Sequence, residues 1–109
     1  MAIIEYSPAA VKDLQQLRTR ILSNWGDDTA RKVLKKITMD IRRLDQYPLS
    51  GANLGELIDI STSYRYIFSE KNYVFYHVEG TNIRIVRILN ERQDFLRHLF
   101  GIETQLSDD

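Results

Sequence analysis

The chain has 109 residues, 15 Lys plus Arg against 15 Asp plus Glu, and no cysteine. That length suits one domain with one modest core over residues 1–109, and the charge balance excludes a global basic field drawing the protein onto nucleic acid. Lack of cysteine excludes disulfides and thiolate-held metal, and no apolar run approaches the roughly 20 residues of a membrane helix. The N-terminal MAIIEYS lacks a basic region followed by an apolar stretch, so a small cytoplasmic protein is expected, needing neither metal nor cofactor.

Ala2 to Tyr6 form a short β-type run, and Ser7-Pro8 ends it and starts a helix, serine as N-cap and proline at the first helical position. Val11, Leu14, Leu17, Ile21 and Trp25 recur every three or four residues, one apolar stripe of a 3.6-residue period. Gly26 stops that helix, and Asp27 or Asp28 is expected to cap a second, with the stripe Ala30, Val33, Leu34, Ile37, Ile41 and Leu44. Pro48 disfavours helix at Tyr47, so a helical hairpin closes before Pro48-Leu49-Ser50-Gly51.

The second half changes period. Tyr64 to Ser69, Tyr73 to Glu79 and Ile83 to Leu89 are rich in aromatic and β-branched residues and read as antiparallel strands. A two-residue turn at Gly80-Thr81 sets Val78 opposite Ile83, Tyr76 opposite Ile85 and His77 opposite Arg84. Phe95, Leu96, Leu99 and Phe100 suggest a short amphipathic helix ended by Gly101, and the acidic tail Ile102 to Asp109 is expected to fray. The fold expected is α+β: an N-terminal strand and helical hairpin packed on an antiparallel sheet, with a short C-terminal helix.

Charge is spread unevenly. Pro8 to Gln46 holds nine Lys or Arg against five Asp, whereas Gly55 to Gly101 holds six of each sign. A solvated helix face accounts for the first excess, and a phosphate-facing surface is the alternative.

The segments YSPAAVKDL, NWGDDTARKVLKKI, IRRLDQYPLSG, YRYIF and NYVFYHVEGTNIRIVRILNERQD, in that order and spacing, resemble the RelE/ParE superfamily of toxins from bacterial toxin–antitoxin modules. The resemblance runs from Ile3 to about Asp94, and the long hairpin with its L-x-x-x-P-x-x-G close looks more like the ParE branch. It implies a growth-inhibiting toxin neutralised by a cognate antitoxin whose C-terminal segment wraps the toxin surface. It also implies one of two targets: DNA gyrase, as for ParE-like members, or mRNA cut on the ribosome, as for RelE-like members. A member that has lost toxicity and survives as an interaction module is a third reading.

Metal-independent RNA cleavage needs a base for the 2′-hydroxyl, cations on the phosphate and an acid for the leaving oxygen. Arg65, Arg92 and His98 are the candidates for that catalytic set, with Asp94 four residues before His98 on one helix face. The same residues also read as plain structure. Asn90 or Asp94 caps the last helix, Arg92, Arg97 and His98 lie on its wet side, and Arg65 pairs with Glu56 or Asp59. Tyr73, Arg87, Phe95 and Leu99 are the expected contacts for antitoxin or target, while Phe75 and Tyr76 are expected in the core.

Two departures from the family pattern bear on the target. RNA-cleaving members resemble one another in carrying arginine where this chain has Tyr73, and ParE-like members often show histidine-glycine where it reads Asn90-Glu91. Neutral overall charge argues against the ribosome, a dense polyphosphate. A ParE-like toxin that works by binding, rather than a nuclease, is the expectation.

Overall fold

A computed structural model describes residues 2–101, so the tail from Ile102 to Asp109, expected to fray, lies outside the described residues. Strand β1 (Ile3–Tyr6) leads into helices α1 (Pro8–Trp25) and α2 (Asp27–Arg42) and a 3₁₀ turn (Arg43–Asp45). Strand β2 (Ala52–Asn53), helix α3 (Leu54–Ile58), strands β3 (Arg65–Ser69), β4 (Asn72–Glu79) and β5 (Asn82–Asn90) and helix α4 (Phe95–Phe100) follow.

The start of α1 is set by Ser7. Its Oγ accepts a hydrogen bond from the Ala10 N–H at 3.0 Å and donates one to the Val86 carbonyl at 2.7 Å, so a single hydroxyl caps the helix and pins it to the sheet. Pro8 occupies the first turn as expected. Gly26 alone separates α1 from α2, at φ +92°, a conformation that a side-chain-bearing residue adopts only with strain. Gly26 rather than an aspartate is the N-cap of α2; Asp27 and Asp28 lie in its first turn and pair with Arg31 at 2.8 and 3.0 Å. These pairs are exposed, so their main effect is a favourable charge at the positive end of the helix dipole.

The apolar stripe of α2 is as the periodicity indicates, with Ala30, Ile37, Ile41 and, just beyond, Leu44 buried. The stripe of α1 is rotated. Its inward face is Ala10, Asp13, Leu14, Leu17 and Ile21, while Val11 and Trp25 lie outside it, Trp25 at 65% exposure.

The sheet has five strands among the described residues, in the order β1-β5-β4-β3-β2. Strands β2 to β5 are antiparallel, and β4 meets β5 in the register expected from Gly80-Thr81, Val78 opposite Ile83, Tyr76 opposite Ile85 and His77 opposite Arg84. The N-terminal strand joins as a parallel edge, Ile3 beside Asn82 through Tyr6 beside Ile85. The long passage through the hairpin permits this, since a parallel neighbour needs a crossover of a dozen or more residues.

Each sheet face buries its own cluster. The hairpin covers Val74, Tyr76, Ile83, Ile85 and Ile88. On the opposite face Leu54, Phe75 and Leu89 are buried beneath Ile58, Tyr64, Tyr66, Tyr73 and the apolar side of α4. Phe75 and Tyr76, adjacent in β4, are both fully buried on opposite faces, as the two-residue period of a strand requires.

Candidate functional site

The end of β5 carries most of the residues in question, and its outer edge is closed by side chains. Pairing jumps from Phe75–Arg87 to Tyr76–Ile85, leaving Val86 as the extra residue of a β-bulge. From that point β1 no longer covers β5. Ser7 takes the Val86 carbonyl, the Asp13 carboxylate accepts from the Ile88 N–H at 2.9 Å, and the Gln93 side chain accepts from the Asn90 N–H at 2.8 Å. An edge so occupied offers little for an added strand.

Asp13 also binds Arg87 at two points, Nε to Oδ2 at 2.8 Å and Nη2 to Oδ1 at 2.9 Å, with the two side chains 7% and 21% exposed. The carboxylate's hydrogen bonds hold the guanidinium pKa above its ordinary value, outweighing the opposite effect of burial. Arg87, expected as a contact residue, is therefore engaged inside the fold. Asp13 was missed by sequence reasoning: it is a lone acid between apolar positions, 74 residues from its partner.

The face away from the hairpin is aromatic. Tyr73 sits 5.0 Å from Phe68, 5.7 Å from Tyr66, 5.8 Å from Phe75 and 5.8 Å from Phe95, ring centre to ring centre. Helix α4 docks here through Phe95, Leu99 and Phe100, the last 5.8 Å from Tyr64. Asp94 is its N-cap, accepting from the Arg97 N–H at 3.3 Å, and Gly101 closes it at φ +70°. Three expected contact residues, Tyr73, Phe95 and Leu99, thus share one half-buried surface, and Phe68 at its border is 52% exposed. His98 lies on the exposed side of α4.

Arg65 belongs to the other face. It pairs across the ladder with Tyr76, and its Nη1 donates to the carbonyls of Gly51 at 2.8 Å and Leu49 at 3.4 Å, not to Glu56 or Asp59. The Tyr76 hydroxyl completes this knot, donating to the Pro48 carbonyl at 2.8 Å and accepting from the Gly51 N–H at 2.9 Å. Burial pushes the Tyr76 phenol pKa up, against the hydrogen bond from Gly51 and the charge of Arg65. A Cβ on Gly51 would lie 2.5 Å from that hydroxyl and 2.7 Å from the Tyr66 carbonyl, so only glycine fits.

Arg92 stands elsewhere again. The turn after β5 holds it: the Asn90 side chain accepts from the Arg92 N–H at 2.8 Å, and the Glu91 N–H donates to the Lys71 carbonyl at 3.0 Å. Arg92 lines a groove of about 510 Å³ with Arg20, Asn24 and Trp25 of α1, Lys71 of the β3–β4 turn and Glu91. Neither Arg65 nor His98 lines it. The three candidates for RNA cleavage therefore fall at a loop knot on one face, in a groove beside α1, and on the wet side of α4. No group of three or more His, Asp or Glu side chains among the described residues is arranged to hold a metal, and no helix among them is long and apolar enough to cross a membrane.

Comparison with known proteins follows the same lines. The family model described as ParE toxin of the type II toxin-antitoxin system parDE matches residues 4–95. Toxin ParE1 of Mycobacterium tuberculosis, in both strains CDC 1551 / Oshkosh and ATCC 25618 / H37Rv, is 32% identical over 94 residues, covering 85% of this chain and 93% of the relative. A solved chain of the chromosomal ParDE system from P. aeruginosa superposes with a TM-score of 0.70 at 22% identity, covering 83% of this chain and 96% of that one. A chain of the E. coli DinJ-YafQ complex does so at 0.57 and 19% identity, covering 93% and 100%. At those identities the two structures share the fold. With most of its length matched by the family model, the chain belongs to the ParE toxin family of type II toxin–antitoxin systems.

Proposed function

We propose that this protein is a cytoplasmic growth inhibitor that acts by binding DNA gyrase and is held inactive by a cognate antitoxin. The observation that carries the binding reading is the dispersal of Arg65, Arg92 and His98. General acid–base cleavage of RNA needs its base, acid and cations within reach of one phosphate, and here Arg65 is turned to the Leu49 and Gly51 carbonyls through Nη1, away from Arg92 and His98. The gyrase target rests on the likeness to the ParE branch, and the antitoxin on the toxin–antitoxin systems named for the similar proteins.

The aromatic face around Tyr73, Phe95 and Leu99 is the proposed antitoxin contact. A six-residue helix is too short to be stable alone, so α4 is held by that face and can yield to a segment that folds as it binds. The exposed Phe68, 5.0 Å from Tyr73, completes the contact.

Induced expression without antitoxin, with DNA and protein synthesis followed by pulse labelling, tests the reading. A gyrase-directed toxin stops DNA synthesis first. Loss of protein synthesis ahead of DNA synthesis would instead favour a ribosome-dependent nuclease.

A further inference from the structure

The groove lined by Arg20, Trp25, Lys71, Glu91 and Arg92 shares no lining residue with the aromatic face just proposed as the antitoxin contact. Its charge is lopsided. Three cations and one acid line it, and among the described residues none of Arg20, Lys71 and Arg92 forms an ion pair, whereas Arg31, Lys36, Arg43 and Arg87 do. Three cations around one concavity outnumber its single carboxylate, Glu91, and so raise the local potential and attract an anion.

Trp25 is the second observation. It is the chain's single tryptophan, and it stands 65% exposed at the end of α1 with no aromatic ring among the described residues packed on it. Tryptophan is highly buried on average, and an indole left at the rim of a cationic groove is a platform on which a nucleobase can stack.

The groove's cations come from turns that are tied to one another. Lys71 is presented from the two-residue turn between β3 and β4, in which Glu70 and Lys71 both have positive φ, 51° and 65°, as a tight hairpin turn of this kind requires. The Lys71 carbonyl is tied to the Glu91 N–H, and Arg92 is set by Asn90, so two turns are locked against each other with their cations on one opening. A volume of about 510 Å³ falls in the range of small-ligand sites.

We propose that this groove is a nucleotide site, the base stacking on Trp25 and the phosphates lying among Arg20, Lys71 and Arg92. A free nucleoside triphosphate and one stretch of a single-stranded nucleic acid share that chemistry. The inference stands independently of gyrase as the target.

Because Trp25 is the single indole, fluorescence of the purified full chain reads the groove directly. ATP, a single-stranded dT4, adenosine and inorganic phosphate are titrated separately, alongside the exposed-site variants Arg20→Ala and Arg92→Ala, with circular dichroism as the fold control. The expected result is a saturable change with ATP or dT4, absent with adenosine, weakened about tenfold or more in each variant, and weakened further by salt. Tighter binding of dT4 assigns the site to a strand, and tighter binding of ATP to a free nucleotide. No saturable change with either up to millimolar concentration overturns the proposal. So does an equal response to adenosine, or binding unchanged in both variants.

Discussion

Asp13 in α1 and Arg87 in β5 hold each other through two hydrogen bonds of 2.8 and 2.9 Å, and Asp13 also accepts the Ile88 N–H, which lies on the edge of β5 beyond the end of β1. One carboxylate thus fastens the helical hairpin to the sheet and blocks the sheet's open edge. Asp13→Ala strands a partly buried guanidinium and a buried N–H, and breaking such a pair costs about 3–5 kcal/mol. Arg87→Ala leaves the carboxylate one backbone donor and is expected to cost less. The double variant should be clearly less destabilised than the sum of the two, since each single change removes the same contact. Urea denaturation of the three variants measures this.

The Tyr76 hydroxyl is fully buried and bridges Pro48 and Gly51, so Tyr76→Phe leaves the Gly51 N–H unpaired. A loss of about 1–3 kcal/mol is expected. Gly51→Ala should cost at least as much, because its methyl meets both the Tyr76 hydroxyl and the Tyr66 backbone. Thermal melts compare them, and Gly51→Ala in the Tyr76→Phe background should recover part of its loss.

The helical hairpin and the central strands were legible because their signals are local. Ser7-Pro8 starts α1, Gly26 divides the helices, and Gly80-Thr81 fixes the register of β4 on β5. What was missed depends on distant partners. Strand β2 and helix α3 are too short to carry a period, and β1 pairs with a strand about 80 residues later in the chain. Trp25 falls in the apolar rhythm of α1 but lies past the turn that β5 covers, so periodicity alone placed it in the core. Of the candidate site, Tyr73, Phe95 and Leu99 share one surface, and the separation of Arg65 from Arg92 is a tertiary fact that sequence spacing does not encode.

Asp40 supplies a pH dependence. Burial pushes its carboxyl pKa up, but hydrogen bonds from Lys36 at 2.7 Å and Ser69 at 2.6 Å, with the charges of Lys36 and Arg43, bring it below the ordinary value of 3.8. A carboxyl whose folded pKa is depressed adds stability that is present above its unfolded value and is lost as pH falls through the folded one. The contribution is therefore intact at neutral pH and disappears below about pH 3.8. Asp40→Asn should lower the melting temperature at pH 7 and narrow its gap to the wild type as pH falls below that point.

Helix α4 is held by side chains on the aromatic face. Phe95→Ala removes contacts to both Tyr73 and Phe75, at a cost of about half the 3–5 kcal/mol typical of fully buried phenylalanine. Hydrogen exchange should show lost protection in Phe95–Phe100 while β4 and β5 stay protected, because the hairpin cluster is on the other face.

The most direct measurement follows DNA supercoiling by gyrase as the antitoxin-free chain is added, with ribosome-bound mRNA mapped for cuts in parallel. Inhibited supercoiling with trapped cleaved DNA and intact mRNA is the predicted result, unchanged by His98→Ala. Codon-positioned cuts in mRNA that vanish in Arg65→Ala, Arg92→Ala or His98→Ala, with gyrase unaffected, would contradict it.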